Sequence, residues 1–235
     1  ATMAEKFGDM ESAQAYHEKA IDILFSHPER IPNVQQISFV HNCGVSLLQT
    51  EPEKTLLLCD CQLAFPGCSP FERANALLLK GDALKAVSPP RQEEAGQCIR
   101  EAVALTEHER PMTSMDAELY PHALIHLGEH LCHAEQDFEG AIDALTTALG
   151  IYDTRYKFGE LPDRFVAARI LSQIGSAYCG IDQRTGGAEH KEQGLWFCGQ
   201  SITVYRKALE EHIRFRPASA EPIFLNAASV YHYYK

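Results

Sequence analysis

Between His122 and Asp153 the chain reads HALIHLGEHLCHAEQDFEGAIDALTTALGIYD, and the placing of its small residues constrains the fold more than any other feature. Leu124, Leu127 and Leu131 recur at helical spacing around Gly128. After a polar break, AEQD, the residues Ala141, Ile142, Leu145, Ala148 and Leu149 fall on one stripe of a second helix. Two helices approach closely only where one of them offers no bulky side chain, so a glycine on the first and two alanines seven apart on the second predict a tight helical hairpin.

The rest of the chain can be laid out as imperfect copies of this stretch. Small residues follow large apolar ones at Gly44, Gly81, Gly175 and Ala228. The intervals are 37, 47, 47 and 53 residues (44 to 81, 81 to 128, 128 to 175, 175 to 228). The second helices supply the matching pairs Ala13 and Ala20, Ala95 and Ala102, Ala141 and Ala148, and Ser201 and Ala208. The segment 53–65 fits worst, with Leu56 and Leu63 in the two places, and wider packing is expected there.

Helical periodicity predicts ten helices, near residues 9–26, 33–50, 53–65, 70–86, 91–108, 115–134, 137–157, 162–181, 190–213 and 219–234. Prolines punctuate them: Pro32, Pro52, Pro66, Pro70, Pro89-Pro90, Pro111, Pro162 and Pro217 fall at or between the ends. Pro121 and Pro222 are expected in early turns, where a missing N–H costs little. No stretch alternates with period two for long enough to make a sheet. The longest loop is expected at 181–189, IDQRTGGAE, as a mobile connection.

The formal charge of −11 argues against nucleic acid as a partner, because phosphate binding needs a basic surface, and it disfavours anionic membranes. No run of eighteen apolar residues is present. The eight cysteines, Cys43, Cys59, Cys61, Cys68, Cys98, Cys132, Cys179 and Cys198, follow no repeated spacing. They are read as reduced, mostly buried thiols of an intracellular protein, cytoplasmic rather than nuclear.

The candidate chemistry lies in the row His122, His126, His130 and His133. The first three are four apart and share a helix face. Such a pair can chelate zinc or copper, with Glu129 and Cys132 nearby, but no second ligand cluster with metal spacing occurs, so neither a metal nor another cofactor is assigned. A contact with a peptide is the stronger reading of the imidazoles. No nucleophile elbow, HExxH, phosphate loop or glycine fingerprint on a strand is present, and no catalytic residues are assigned.

The Leu127-Gly128 pair with Ala141 and Ala148 resembles one unit of the tetratricopeptide repeat family, with a longer period than the usual 34 or so residues. The resemblance covers about residues 8–234. It implies an all-α fold, a right-handed superhelical α-solenoid of about five hairpins, forming one domain over 1–235. The tyrosine-rich last helix without a partner would leave apolar surface open, so it is expected either to be a cap or, the favoured reading, to mark a chain cut from a longer array.

In the family, first helices line a concave groove that takes peptides or partner helices. Carried onto this chain, that places His41, Val45, Leu78, Asp82, His122, Ile125, His126, Glu129, His133, Arg169, Ser172, Gln173, Ser176, Asn226 and Ser229 on the binding face. Some members grip a carboxylate tail with Lys, Asn and Arg, but the corresponding places here hold His41, Val45, Leu79, His122 and His126, so that clamp is not expected. The implied function is a non-enzymatic scaffold or adaptor in a larger assembly. The alternatives are self-association through the terminal helices and a small-ligand or metal sensor built on the histidine row.

Overall fold

The computed structural model describes Lys19, Asp22, Ile23 and Ser26 and residues 34–109, 113–156, 164–186 and 188–215. Most of the expected helix 9–26 and all of 219–234 lie outside these. Among the described residues the protein is all-helical, with no strand. The helices are α1 (Val34–Leu47), α2 (Pro52–Leu63), α3 (Pro70–Ala86), α4 (Gln92–Glu107), α5 (Ser114–His130), α6 (Phe138–Tyr156), α7 (Arg164–Thr185) and α8 (Ala188–Phe215). The chain divides into two compact units, Ala1–Leu119 and Tyr120–Lys235. No helix among the described residues is long and apolar enough to cross a membrane.

In the first unit, α1 to α4 pack consecutively. Local chemistry sets where the helices begin. Pro52 and Pro70 occupy first turns, where their missing N–H has no intrahelical partner to lose. Ser69 closes a reciprocal cap with Glu72: the Ser69 N–H donates to Glu72 Oε2 at 2.8 Å and the Glu72 N–H to Ser69 Oγ at 3.2 Å. The Arg73 guanidinium donates to the Leu63 carbonyl at 3.0 Å and Gln62 Nε2 to the Glu72 carbonyl at 3.1 Å, tying the end of α2 to the start of α3.

The expected notches sit at helix crossings. A methyl group at Gly81 would lie 3.1 Å from Ile99 Cγ1 and 3.4 Å from the Ala95 carbonyl oxygen, and Ala95 and Ala102 on the facing helix are fully buried. At Gly44 it would lie 2.9 Å from Leu79 Cδ2 and 3.7 Å from Thr55 Cγ2. Thr55, not Leu56, therefore faces the notch of the worst-fitting hairpin. Its buried hydroxyl donates to the Gly44 carbonyl at 3.1 Å. Leu56 instead joins Ala83, Leu84, Val87 and Ala95 in the core between α2, α3 and α4, and Leu63 is half-buried.

The second unit repeats the scheme. A methyl group at Gly128 would approach Leu145 Cγ to 2.5 Å. On α7 and α8 the notch is reciprocal: Gly175 faces Cys198 Sγ and Gly194 faces Cys179 Sγ, while the Gly194 carbonyl comes within 3.0 Å of where a Gly175 methyl would stand. Ser201, fully buried, donates its hydroxyl to the Ala168 carbonyl at 2.8 Å. Partner numbers fall along one helix as they rise along the other, so α7 and α8 are antiparallel.

Two expectations are corrected. The segment 181–189 is not a long loop, because α7 runs to Thr185 and α8 starts at Ala188. Arg184 holds the last turn in place. It donates to the Gln136 carbonyl at 2.5 Å and lies 4.7 Å from the centre of the Phe138 ring. Gly186 then ends the helix at φ +69°, a backbone region that favours glycine. Pro121 is not in an early turn of α5 but inside the helix. Thr113 and Asp116 cap each other (2.9 and 3.1 Å) and start the helix two turns before it.

All eight cysteines are free thiols, five of them buried and Cys61, Cys68 and Cys98 half-buried. Burial pushes the thiols of Cys59 and Cys198 up to about 12.

Candidate functional site

The second unit brings the expected residues of two helices together. Glu129 on α5 accepts two hydrogen bonds from Arg169 on α7, from Nε and from a terminal nitrogen, both at 2.5 Å. One turn further along each helix, His133 Nε2 meets Gln173 Oε1 at 2.9 Å. The two bridges keep the same offset, from 129 to 169 and from 133 to 173, so α5 and α7 lie side by side and run parallel, in step. Parallel first helices arise when each is followed by a helix that returns the chain, which α6 does between them. The tertiary fold thus assembles a polar strip from residues forty apart in sequence.

The strip is largely self-neutralised. The Arg169 side chain is 43% exposed and Glu129 16%, so the charge outside is mainly guanidinium edge backed by a covered carboxylate. Ser172 Oγ donates to the Arg169 carbonyl at 3.0 Å and Ser176 Oγ to the Ser172 carbonyl at 3.0 Å. Such back-bonding uses the hydroxyl proton and leaves the oxygen as an acceptor.

The histidine row does not form one uniform surface. His122 is half-buried and His126 only 6% exposed, with their Nε2 atoms 3.2 Å apart and their rings edge to face. His130 is buried, and its Nε2 lies 3.0 Å from Glu135 Oε1 across the π-helical turn Leu131–Glu135 that ends α5. Only His133 is exposed. The cause is helical geometry. From His122 to His130, steps of four residues advance about 400°, so each successive histidine drifts about 40° around the axis and turns further into the core, while His133 lies beyond α5 in the π-helical turn and is exposed.

Burial also corrects other residues placed on a binding face. Leu78 (3% exposed) and Ile125 (1%) belong to the core, and Ser172 and His126 are buried too. The expected stripe was too wide because α3 packs on both α2 and α4, and α5 meets both α6 and α7. In the first unit Val45 is exposed and His41 and Asp82 are half-buried. Burial lowers the basicity of His41, and Asp82 accepts from Lys85 at 3.3 Å. Asn226 and Ser229 lie outside the described residues.

Sequence reasoning passed over one surface. On α8 the sole tryptophan, Trp196, is 59% exposed beside exposed Leu195. Phe197 stacks on Tyr178 of α7 at 5.6 Å and meets Trp196 edge to face at 4.9 Å. The signal was available in the run LWF, which places three large apolar residues consecutively and so cannot bury all of them on one helix face. Among the described residues no group of three or more His, Cys, Asp or Glu side chains is placed to hold a metal ion. Compared with known proteins, the chain matches no family model and no curated protein.

Proposed function

We propose that this protein is a tetratricopeptide-like helical-repeat scaffold that binds a peptide or partner helix on its layer of first helices, as a non-enzymatic subunit or adaptor of a larger assembly. The observation that carries this reading is the in-step bridging of α5 and α7 through Glu129–Arg169 and His133–Gln173. Two parallel helices so braced form a fixed polar strip, and a preorganised strip binds at a lower entropic cost than one ordered on contact. A continuous right-handed solenoid belongs to the same proposal.

Selection of displayed peptides on the immobilised protein tests it. Peptides retained by wild type and lost by the double variant His133→Glu/Gln173→Lys, at unchanged Tm, are expected. Failure to select any peptide, or full retention by the variant, overturns the strip as the binding face. His126→Glu does not serve here, because it puts a charge into a buried position and tests folding instead.

A second reading, self-association, rests on the exposed Leu195 and Trp196. Light scattering across a concentration series decides it, with a strictly monomeric mass refuting it.

A further inference from the structure

We infer that His122 and His126 form an open two-histidine chelate for a tetrahedral divalent ion of the zinc type, on the half-buried face of α5. Their Nε2 atoms stand 3.2 Å apart on consecutive helical turns. Zinc–imidazole bonds of about 2.0–2.1 Å at a tetrahedral angle put two ligand nitrogens about 3.3 Å apart, so the pair already has the bite of one ion. The square geometry preferred by copper(II) needs a shorter separation, about 2.8 Å for adjacent ligands at similar bond lengths, and fits less well.

Burial fixes one arm of the chelate. His126, at 6% exposure, has little room to turn away, while the half-buried His122 keeps one side toward solvent. Among the described residues no third His, Cys, Asp or Glu side chain joins the pair. Glu129, three residues beyond His126, holds the Arg169 guanidinium through both oxygens. Cys132 is buried, six residues beyond His126, and is not grouped with the pair. The site therefore supplies two nitrogens, and water or an added ligand fills the remaining positions. Ligation through both Nε2 atoms needs each ring to carry its proton on Nδ1, which on the buried His126 meets no hydrogen-bond acceptor and so lowers the affinity the pair can reach. The proton shared between the two Nε2 atoms thus moves to a ring's own Nδ1, and the neutral pair releases none.

The test is calorimetric titration of the tag-free full chain with zinc chloride, alongside His122→Gln and His133→Gln. Wild type and His133→Gln are expected to bind alike, and His122→Gln at least about tenfold more weakly, on the scale of losing support at a metal site. Long-range nitrogen-15 spectra of wild type are expected to show the Nε2 signals of both His122 and His126 moving on zinc addition. These spectra decide the matter even if a variant misfolds. Absence of zinc binding, equal binding by His122→Gln, equal weakening in His133→Gln, or unmoved Nε2 signals would each overturn the assignment. The peptide-binding proposal stands or falls separately, since its variants leave this pair intact.

Discussion

Replacing Gly128 by alanine probes the packing notch on which the second unit is built. The added methyl carbon would stand 2.5 Å from Leu145 Cγ, 2.9 Å from Cδ2 and 3.1 Å from Cδ1. Comfortable carbon–carbon contact is about 3.5–4.0 Å, so the overlap is about 1 Å at the closest atom. Leu145 is fully buried and cannot swing into solvent. Overpacking of this kind costs about 1–3 kcal/mol. Against it stands the helix preference for alanine over glycine, about 1 kcal/mol. Gly150→Ala in α6 supplies the reference, because an added methyl there meets nothing within 4 Å. The helix preference cancels between the two variants, leaving a difference of about 1–3 kcal/mol with Gly128→Ala the less stable. Urea unfolding followed by far-ultraviolet circular dichroism measures it. Adding Leu145→Ala to Gly128→Ala should cost less than the separate losses combined, since the new methyl then occupies space that the leucine has left. If Gly128→Ala stabilises the protein as much as Gly150→Ala does, the close crossing of α5 and α6 is wrong.

Other consequences follow from single contacts. Ser69→Ala removes the cap of α3 and should lower stability by about 1 kcal/mol in urea, while Ser46→Ala, on exposed α1 surface, should change it little. Glu129→Gln should cost less than about 1 kcal/mol, shrinking further in high salt, because the Arg169 side chain is 43% exposed and screened. Brief iodoacetamide treatment of the native protein at pH 8 should label Cys61, Cys68 and Cys98 before Cys59 and Cys198, as mass spectrometry of the digest would show; rapid labelling of Cys198 refutes the buried α7–α8 crossing. The same two thiols make stability fall with alkalinity. Their folded values are raised to about 12, so the unfolded chain loses its protons first, and the stabilisation present below about pH 9 is lost as pH climbs towards 12. Unfolding midpoints that stay level between pH 8.5 and about 11 would contradict that linkage.

Over the described residues the sequence by itself determined which segments are helical and most of the crossing points between them. Size is a local property, and a glycine among leucines or two alanines seven apart mark a close approach whatever surrounds them. Gly44, Gly81, Gly128 and Gly175 accordingly all lie against a neighbouring helix, and Ala95, Ala102, Ala141, Ala148, Ser201 and Ala208 are all buried. The sequence also located the polar first helices from which the α5–α7 strip is made. What it left open was decided by contacts between residues far apart. Thr55 replaced Leu56 at the first notch because its hydroxyl reaches the Gly44 carbonyl eleven residues away. An expected loop became helix because Arg184 finds Phe138 and the Gln136 carbonyl. The histidine row divided into a pair with one half-buried and one buried ring, a buried acid contact and one exposed ring because flanking helices cover most of α5. Periodicity shows which residues share a face. Only the packed neighbours decide how much of that face still meets water, because burial is a property of the pair of surfaces and not of either alone.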